Sequence, residues 1–329
     1  MNLTICTTYY HLYVTLLKRL VWGQETDLVI CDDIPTGRVL VKRLRGTGLF
    51  GRVWYVEQHR LPEEFGRGRL DRVLFQHRRR YRLLRPLLPF QLEDYQEIYI
   101  YHDGTALGMF LNDARCPYHL VEDALNFYQR LQDTPQAQLL RPHDWKFRIR
   151  KLLNSGYFPL GESKYVKDIE VNENRNLQIV GKPIVELPRD AMEQKLTPTQ
   201  RQLIFQIFGQ PELPEMGAGT ALLLTEPLYS DGVCTTLEEQ VEIYQKMLKS
   251  LQAEGFQVVI KPHPRDFEDY TGLGAQVLDK NFPVELLAHL IKAPLGCAAA
   301  VSSSAVFTIQ AEEKNVLASG HIKPCKIKR

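Results

Sequence analysis

The spacing of apolar residues is the feature that most constrains how this chain folds. Short aliphatic, aromatic and β-branched runs occur at residues 3–6, 27–31, 53–56, 97–101 and 119–121, and again at 221–224, 257–261 and 298–301. Each has strand length and is bounded by polar, Gly or Pro residues. Amphipathic stretches fill the gaps. The clearest is 237–254, where Val241, Tyr244, Met247, Leu248 and Leu251 recur at helical spacing behind a Thr-Thr-Leu-Glu-Glu start. Strands alternating with helices predict an α/β fold with parallel sheets covered on both faces.

Size and composition narrow the class. The chain has 329 residues, 44% hydrophobic and 24% charged. That excludes a disordered chain and a small disulfide scaffold. Residues 187–219 carry four prolines and end in Met-Gly-Ala-Gly. They read as a passage between two α/β domains, 1–190 and 220–329, with 191–219 as linker and one helix near 197–208. In such an arrangement ligands bind at the carboxyl ends of strands. Six cysteines stand at positions 6, 31, 116, 234, 297 and 325 without a Cys-x-x-Cys pair. Scattered thiols fit a reducing compartment. The first charged residue is Lys18 and no apolar run approaches eighteen residues, so a cytoplasmic protein is expected.

Forty-one basic residues against 39 acidic ones give a net charge of +2, which argues against nucleic acid as a partner. The balance is uneven along the chain: between Arg60 and Arg85 there are nine arginines and three acids. A solvated helix face explains such a run. So does peripheral contact with anionic lipid, where each basic residue contributes about 1 kcal/mol.

Three clusters carry chemistry. Val258-Val259-Ile260-Lys261-Pro262-His263-Pro264-Arg265 delivers an imidazole at a strand's carboxyl end, framed by two prolines that restrict the backbone. Such a His can donate a hydrogen bond or a proton to a phosphate. Ala300-Val301-Ser302-Ser303-Ser304 ends a small-residue strand in three hydroxyls and opens what reads as a helix, a phosphate-binding pattern or a plain Ser cap. His119-Leu120-Val121-Glu122-Asp123-Ala124 places two carboxylates after a short strand, suited to a general base or to a helix start. A rival carboxylate is Asp103, in the strand-ending Tyr101-His102-Asp103-Gly104. Asp32-Asp33 reads as a turn, and no Asp-x-Asp stands in a metal-binding setting.

In this order, the acidic pair, the His-Pro pair and the Ser run resemble the bacterial sialyltransferases and polysialyltransferases, and most closely glycosyltransferase family 52. The Cys6-Thr7-Thr8-Tyr9 turn, Leu223-Leu224-Thr225-Glu226-Pro227-Leu228 and Pro283-Val284-Glu285-Leu286-Leu287 are similar in character, so the resemblance spans nearly the whole chain. The family's acidic motif ends in Gly where this chain has Ala124. If that Gly serves by a positive φ, alanine is strained there.

The resemblance implies a GT-B type enzyme: two Rossmann-like domains facing a cleft. It implies inverting transfer of sialic acid from CMP-sialic acid to a hydroxyl of a cell-surface glycan, of lipooligosaccharide or capsule type, with no cofactor and no metal. Asp123, or Glu122 beside it, would be the base. His263 would protonate or stabilise the departing phosphate, held with Pro264, Ser302, Ser303 and Ser304. Lys261 would add charge, Thr225 would join the phosphate set, and Glu285 would bind the ribose. The family includes dimers, so a homodimer is among the expected partners. Open alternatives are another donor such as CMP-Kdo or a UDP-sugar, a catalytically degenerate binding protein, and a basic membrane adaptor.

Overall fold

Each half of the chain begins with a largely buried strand that needs cover on both faces, and each builds a mainly parallel, doubly wound sheet around it. A computed structural model describes residues 1–60, 84–124, 127–128, 161–173, 181–317 and 324–326. Most of the arginine-rich stretch between Arg60 and Arg85 therefore lies outside the described residues. By its internal contacts the chain divides into two units, Met1–Ile207 and Phe208–Arg329.

In the first unit β1 (Asn2–Cys6), β2 (Thr26–Cys31), β3 (Val53–Val56), β4 (Glu97–Ile100), β5 (Tyr118–Val121), β6 (Val166–Val171) and β7 (Ile184–Glu186) form one sheet. Its order is β3-β2-β1-β4-β5-β6-β7, and every pairing is parallel. The chain winds outward from β1 to β3, then returns to the other side of β1 with β4. The crevice beyond the carboxyl ends of β1 and β4 is the switch point, where ligands bind in open sheets of this kind.

Helix α1 (Tyr9–Trp22) follows β1 directly. Thr8 caps it, accepting a hydrogen bond from His11 N, and Gly23 ends it at φ 68°, a left-handed conformation that favours glycine. Among the described residues the further α-helices here are α2 (Gly37–Arg45), α3 (Ala106–Asp113), α4 (Arg189–Gln194) and α5 (Pro198–Phe208). The two helices α4 and α5 occupy much of the stretch expected as linker.

One buried ion pair fastens α1 to the sheet. Lys18 Nζ lies 2.5 Å from Glu170 Oε2 on β6 and 3.9 Å from the Tyr99 ring centroid on β4. Both side chains are buried. Burial lowers the Lys18 pKa, and Glu170 opposes that shift. In such a setting each charge depends on the other for solvation.

The second unit repeats the plan: β8 (Thr220–Leu224), β9 (Gln257–Lys261), β10 (Gln276–Val277), β11 (Leu295–Ala300), β12 (Ala311–Leu317) and β13 (Pro324–Lys326). The order is β10-β9-β8-β11-β12-β13, parallel except for β13. Its switch point lies between β8 and β11. Helix α6 (Leu237–Ala253) packs Tyr244, Leu248 and Leu251 into a core with Leu223, Ile260 and Ala299. Helix α7 (Val284–Leu290) precedes β11. At the amino end of β11 a Cβ on Gly296 would stand 2.1 Å from the Ala218 carbonyl oxygen, so only glycine fits. Among the described residues no helix is long and apolar enough to cross a membrane.

The Lys18–Glu170 pair generates a stability prediction. Removing one partner of a buried pair leaves an uncompensated charge and costs about 3 kcal/mol or more. Lys18→Met or Glu170→Leu alone should lower the denaturant midpoint of the first unit strongly. The double variant should recover most of the loss, and a double variant as unstable as the sum of the singles would contradict the pairing.

Candidate active site

All three chemical clusters sit beyond carboxyl ends of strands. In the second unit the organising element is the exit of β8. Its core sequence Thr-Ala-Leu-Leu-Leu is buried throughout, so the strand emerges in a fixed direction with Thr225 and Glu226 at its tip. Each of these two residues reaches to a different neighbouring strand.

Thr225 ties the β9 exit. Its hydroxyl accepts a hydrogen bond from His263 N at 3.3 Å and donates to Asp266 Oδ2 at 2.5 Å. Asp266 is buried and also accepts from Gln240 Nε2 at 3.0 Å, Tyr270 Oη at 2.8 Å and Glu268 N at 3.1 Å. One carboxylate thus gathers β8, α6 and the loop after β9. Lys280 Nζ adds a bond to the Asp266 carbonyl at 2.9 Å.

The loop so held is Pro262-His263-Pro264. His263 Nδ1 accepts from Arg265 N at 3.1 Å. In the neutral ring the proton therefore sits on Nε2, which makes that atom a donor. Burial first, then the Arg265 and Lys261 cations, pull the His263 pKa down to about 3. The unliganded imidazole is neutral at physiological pH. Pro264 follows in the turn, and Arg265 pairs with Asp231 at 3.2 Å.

Glu226 ties the β11 exit on the other side. Its carboxylate accepts both Ser302 N and Ser302 Oγ at 2.7 Å, directly across the switch point. Ser303 caps the next turn by accepting from Ala305 N at 3.2 Å. Sequence reasoning expected a helix after the Ser run. The structure has a 3-10 turn of five residues, Ser304–Thr308. The chain must enter β12 at Ala311, which leaves no room for a longer helix. Ser304 opens this turn.

Other expected phosphate ligands are placed differently. Lys261 is buried, and its ammonium donates to the carbonyls of Pro262 at 2.9 Å and Lys280 at 3.1 Å. Burial lowers its pKa to about 8 against the pull of Asp279 and Glu285. It holds the loop rather than pointing along the strand. Glu285 sits in the first turn of α7, where it acts electrostatically on Lys261. The Thr225 hydroxyl is occupied by Asp266 and the Ser302 donors by Glu226.

In the first unit Glu122 and Asp123 follow β5. Glu122 is 2% exposed and its Oε2 accepts from Asn172 N at 2.9 Å, which ties the exits of β5 and β6. The Asp123 side chain is 29% exposed and bonds His11 Nε2 at 2.9 Å. Of the pair, Asp123 is the carboxylate that reaches solvent.

Ala124 is not strained. Among the described residues Arg115 is the one non-glycine with positive φ. The backbone at position 124 thus makes no demand for glycine.

The rival Asp103 is buried and accepts from Tyr118 Oη and Gly161 N, each at 3.3 Å. Burial pushes its pKa up to about 6. Gly108 of α3 lies against its backbone so closely that a Cβ would stand 2.4 Å from the Asp103 carbonyl oxygen. Asp103 is thus walled in by its own loop.

Sequence reasoning missed His11, Asp266 and Glu226. His11 lies four residues after Thr7 in a helix otherwise apolar at that level. Asp266 stands three residues after His263. Glu226 was visible in Leu-Thr-Glu-Pro but carried no assigned role. Beyond the carboxyl ends of β2 and β3, Asp32, Asp33 and His59 bring potential ligand atoms within 4.8 Å of one another. Asp33 is already bonded there to His59 at 3.0 Å and to Gln58.

Two Rossmann-like sheets, one presenting a solvent-reaching carboxylate and the other a constrained imidazole and a Ser run tied to one strand end, define the class as a mixed α/β protein with parallel sheets. Residues 91–322 match glycosyltransferase family 52, more than two thirds of the chain, and the chain belongs to that family. It is also similar to an uncharacterized protein of Haemophilus influenzae, with 25% identity over 178 residues. That match spans about half of each chain, 53% of this one and 53% of the relative.

The His263 environment makes a pH prediction. A folded-state pKa near 3 lies below the unfolded value of about 6.5. The folded ring stays neutral between pH 5 and 8. Below about 6.5 the unfolded chain takes up a proton that the folded chain refuses, so this group lowers stability as pH falls. Imidazole NMR of the unliganded protein should show His263 as the neutral Nε2–H tautomer with no titration in that range. A midpoint near 6.5 would contradict the enclosure described.

Proposed function

We propose that this chain is a metal-independent GT-B type transferase. It moves sialic acid from CMP-sialic acid to a hydroxyl of a cell-surface glycan, with inversion. The observation that carries the reading is the β8 exit. There one strand end tethers the His263 loop on one side and the Ser302 turn on the other. An imidazole Nε2–H, hydroxyls and turn amides at a switch point suit a phosphate oxygen. Family membership supports nucleotide-sugar chemistry, and the resemblance to sialyltransferases supplies the donor. The first unit supplies the acceptor side and the base, and the second holds the donor.

The step balances. The acceptor oxygen forms a bond to the anomeric carbon while its proton passes to the Asp123 carboxylate. The bond from that carbon to the CMP phosphate oxygen breaks, and its electron pair leaves with CMP. His263 stabilises the charge that develops on the phosphate by donating Nε2–H. The donor's phosphodiester monoanion beside the ring favours the cationic imidazole, and the second charge that develops on the phosphate as CMP departs favours it further, so the ring can give up a proton to the leaving group. Ser303 and the amides of Ser303 and Ser304 complete the phosphate contact. Ser302 joins them where the anion displaces Glu226. Lys261 and Asp266 keep the loop in place. The expected contact of the Arg60 to Arg85 region with an anionic membrane would bring the enzyme to a lipid-linked acceptor.

A general base contributes roughly 10²–10⁴-fold to rate. Asp123→Ala should lower turnover with CMP-sialic acid by about a hundredfold or more while CMP still raises the melting temperature. In the same thermal assay UMP, UDP and GDP should give smaller shifts than CMP. Wild-type turnover in Asp123→Ala would remove the base assignment. A larger shift with UDP or GDP would redirect the donor.

A further inference from the structure

The imidazole of His11 is wholly enclosed, yet it is bonded on both nitrogens. Nδ1 accepts from Thr7 N at 3.1 Å and contacts Thr7 Oγ1 at 3.1 Å. An acceptor at Nδ1 places the neutral ring's proton on Nε2. Nε2 lies 2.9 Å from Asp123 Oδ1 and 2.9 Å from the Asp123 carbonyl oxygen. The donor therefore holds both the side chain and the backbone of one residue.

The ring itself has no freedom to turn. It stacks on Tyr101 at 4.3 Å between centroids and 10° between planes, and Tyr10 meets its edge at 6.4 Å. Tyr101 is anchored by its hydroxyl to Thr15 at 2.9 Å, and Thr15 donates to the His11 carbonyl at 2.8 Å. Three strand exits converge here: β1 through Thr7, β4 through Tyr101 and β5 through Asp123. The assembly spans the switch point of the first sheet, and of its members Asp123 reaches solvent.

We infer that His11 is the positioning residue for the carboxylate of the first unit, orienting Asp123 and keeping it in the ionised form that accepts a proton. This inference rests on the reading of Asp123 as the general base. The arrangement resembles in its logic an imidazole oriented by a carboxylate, with the roles exchanged: here the carboxylate reacts and the imidazole orients. A hydrogen bond to the charged form favours that form, and a fixed rotamer saves the orientational cost of reaching the attacking hydroxyl.

The other titratable groups around the pair come from every packed element. Tyr10 lies on α1, Cys6 ends β1, Tyr101 and Asp103 follow β4, and Glu122 and Tyr128 follow β5. Burial raises Tyr101 and Tyr128 well above their ordinary range and Cys6 to about 12. Asp103, pushed up to about 6, does change charge near neutrality. An Asp103→Asn control is therefore part of the test.

The experiment is the pH profile of kcat for the full chain. His11→Phe keeps a ring on Tyr101 and removes both nitrogens. It should lower kcat with little change in donor KM and move the acid limb upward by about one pH unit, because an unassisted carboxylate protonates more readily. His11→Gln, whose amide N–H can reach the same carboxylate, should bring the limb back toward wild type. Asp103→Asn should leave the limb in place. A folded His11→Phe variant with a wild-type limb overturns the positioning role, as does a limb that follows Asp103→Asn instead.

Should His11→Phe not fold, the wild-type chain still decides. Its His11 Nε2 proton should be visible and exchange-protected by NMR, and should shift in Asp123→Asn. A missing or unshifted signal overturns the inference. Failure of the base reading is separate, since it appears as wild-type turnover in Asp123→Asn whatever His11 does.

Discussion

The second unit depends on one strand end. Because β8 is apolar along its length and covered on both faces, it has a single place in the sheet and a single exit. Thr225 and Glu226 emerge there side by side and bond in opposite directions, to the loop after β9 and to the turn after β11. Neither loop is held in that position by regular secondary structure. Their relative position follows from two short side chains on one buried strand. The carboxylate of Asp266 backs this junction with four hydrogen bonds, three of them buried. Charge-assisted bonds of this kind are individually stronger than neutral ones.

The first unit solves a similar problem with an imidazole in place of a carboxylate. Its switch point is bridged by His11, stacked on Tyr101 and bonded to Asp123. In both sheets a buried polar group collects several strand exits: His11 in the first, Asp266 in the second. In the second unit the Glu226 carboxylate likewise spans the switch point and occupies the donors of Ser302.

Much of the fold was legible because buried parallel strands are written as short aliphatic runs. All eight expected strands are present, and α6 begins at the expected residue. The strands that escaped notice have less distinct patterns. Strand β6, Val-Lys-Asp-Ile-Glu-Val, carries charges for Lys18 and His119 on one face. Strand β12, Ala-Glu-Glu-Lys-Asn-Val-Leu, reads as a polar helix. The Ser run was read as a helix start because a Ser cap looks alike before an α-helix and before a 3-10 turn. The candidate site was legible where polar side chains lie next to strand ends, as those of Asp123 and His263 do. His11, Asp266 and Glu226 were not, since their importance comes from partners 112, 41 and 76 residues away that only the fold brings together.

The central claim is that the junction around the β8 exit binds the donor's phosphate through His263. Calorimetric titration of the full-length protein with CMP at neutral pH tests it most directly. The account predicts saturable one-site binding by the wild type, at least tenfold weaker binding by His263→Ala, and near wild-type affinity in Asp123→Ala. Equal CMP affinity with and without the His263 ring would contradict it.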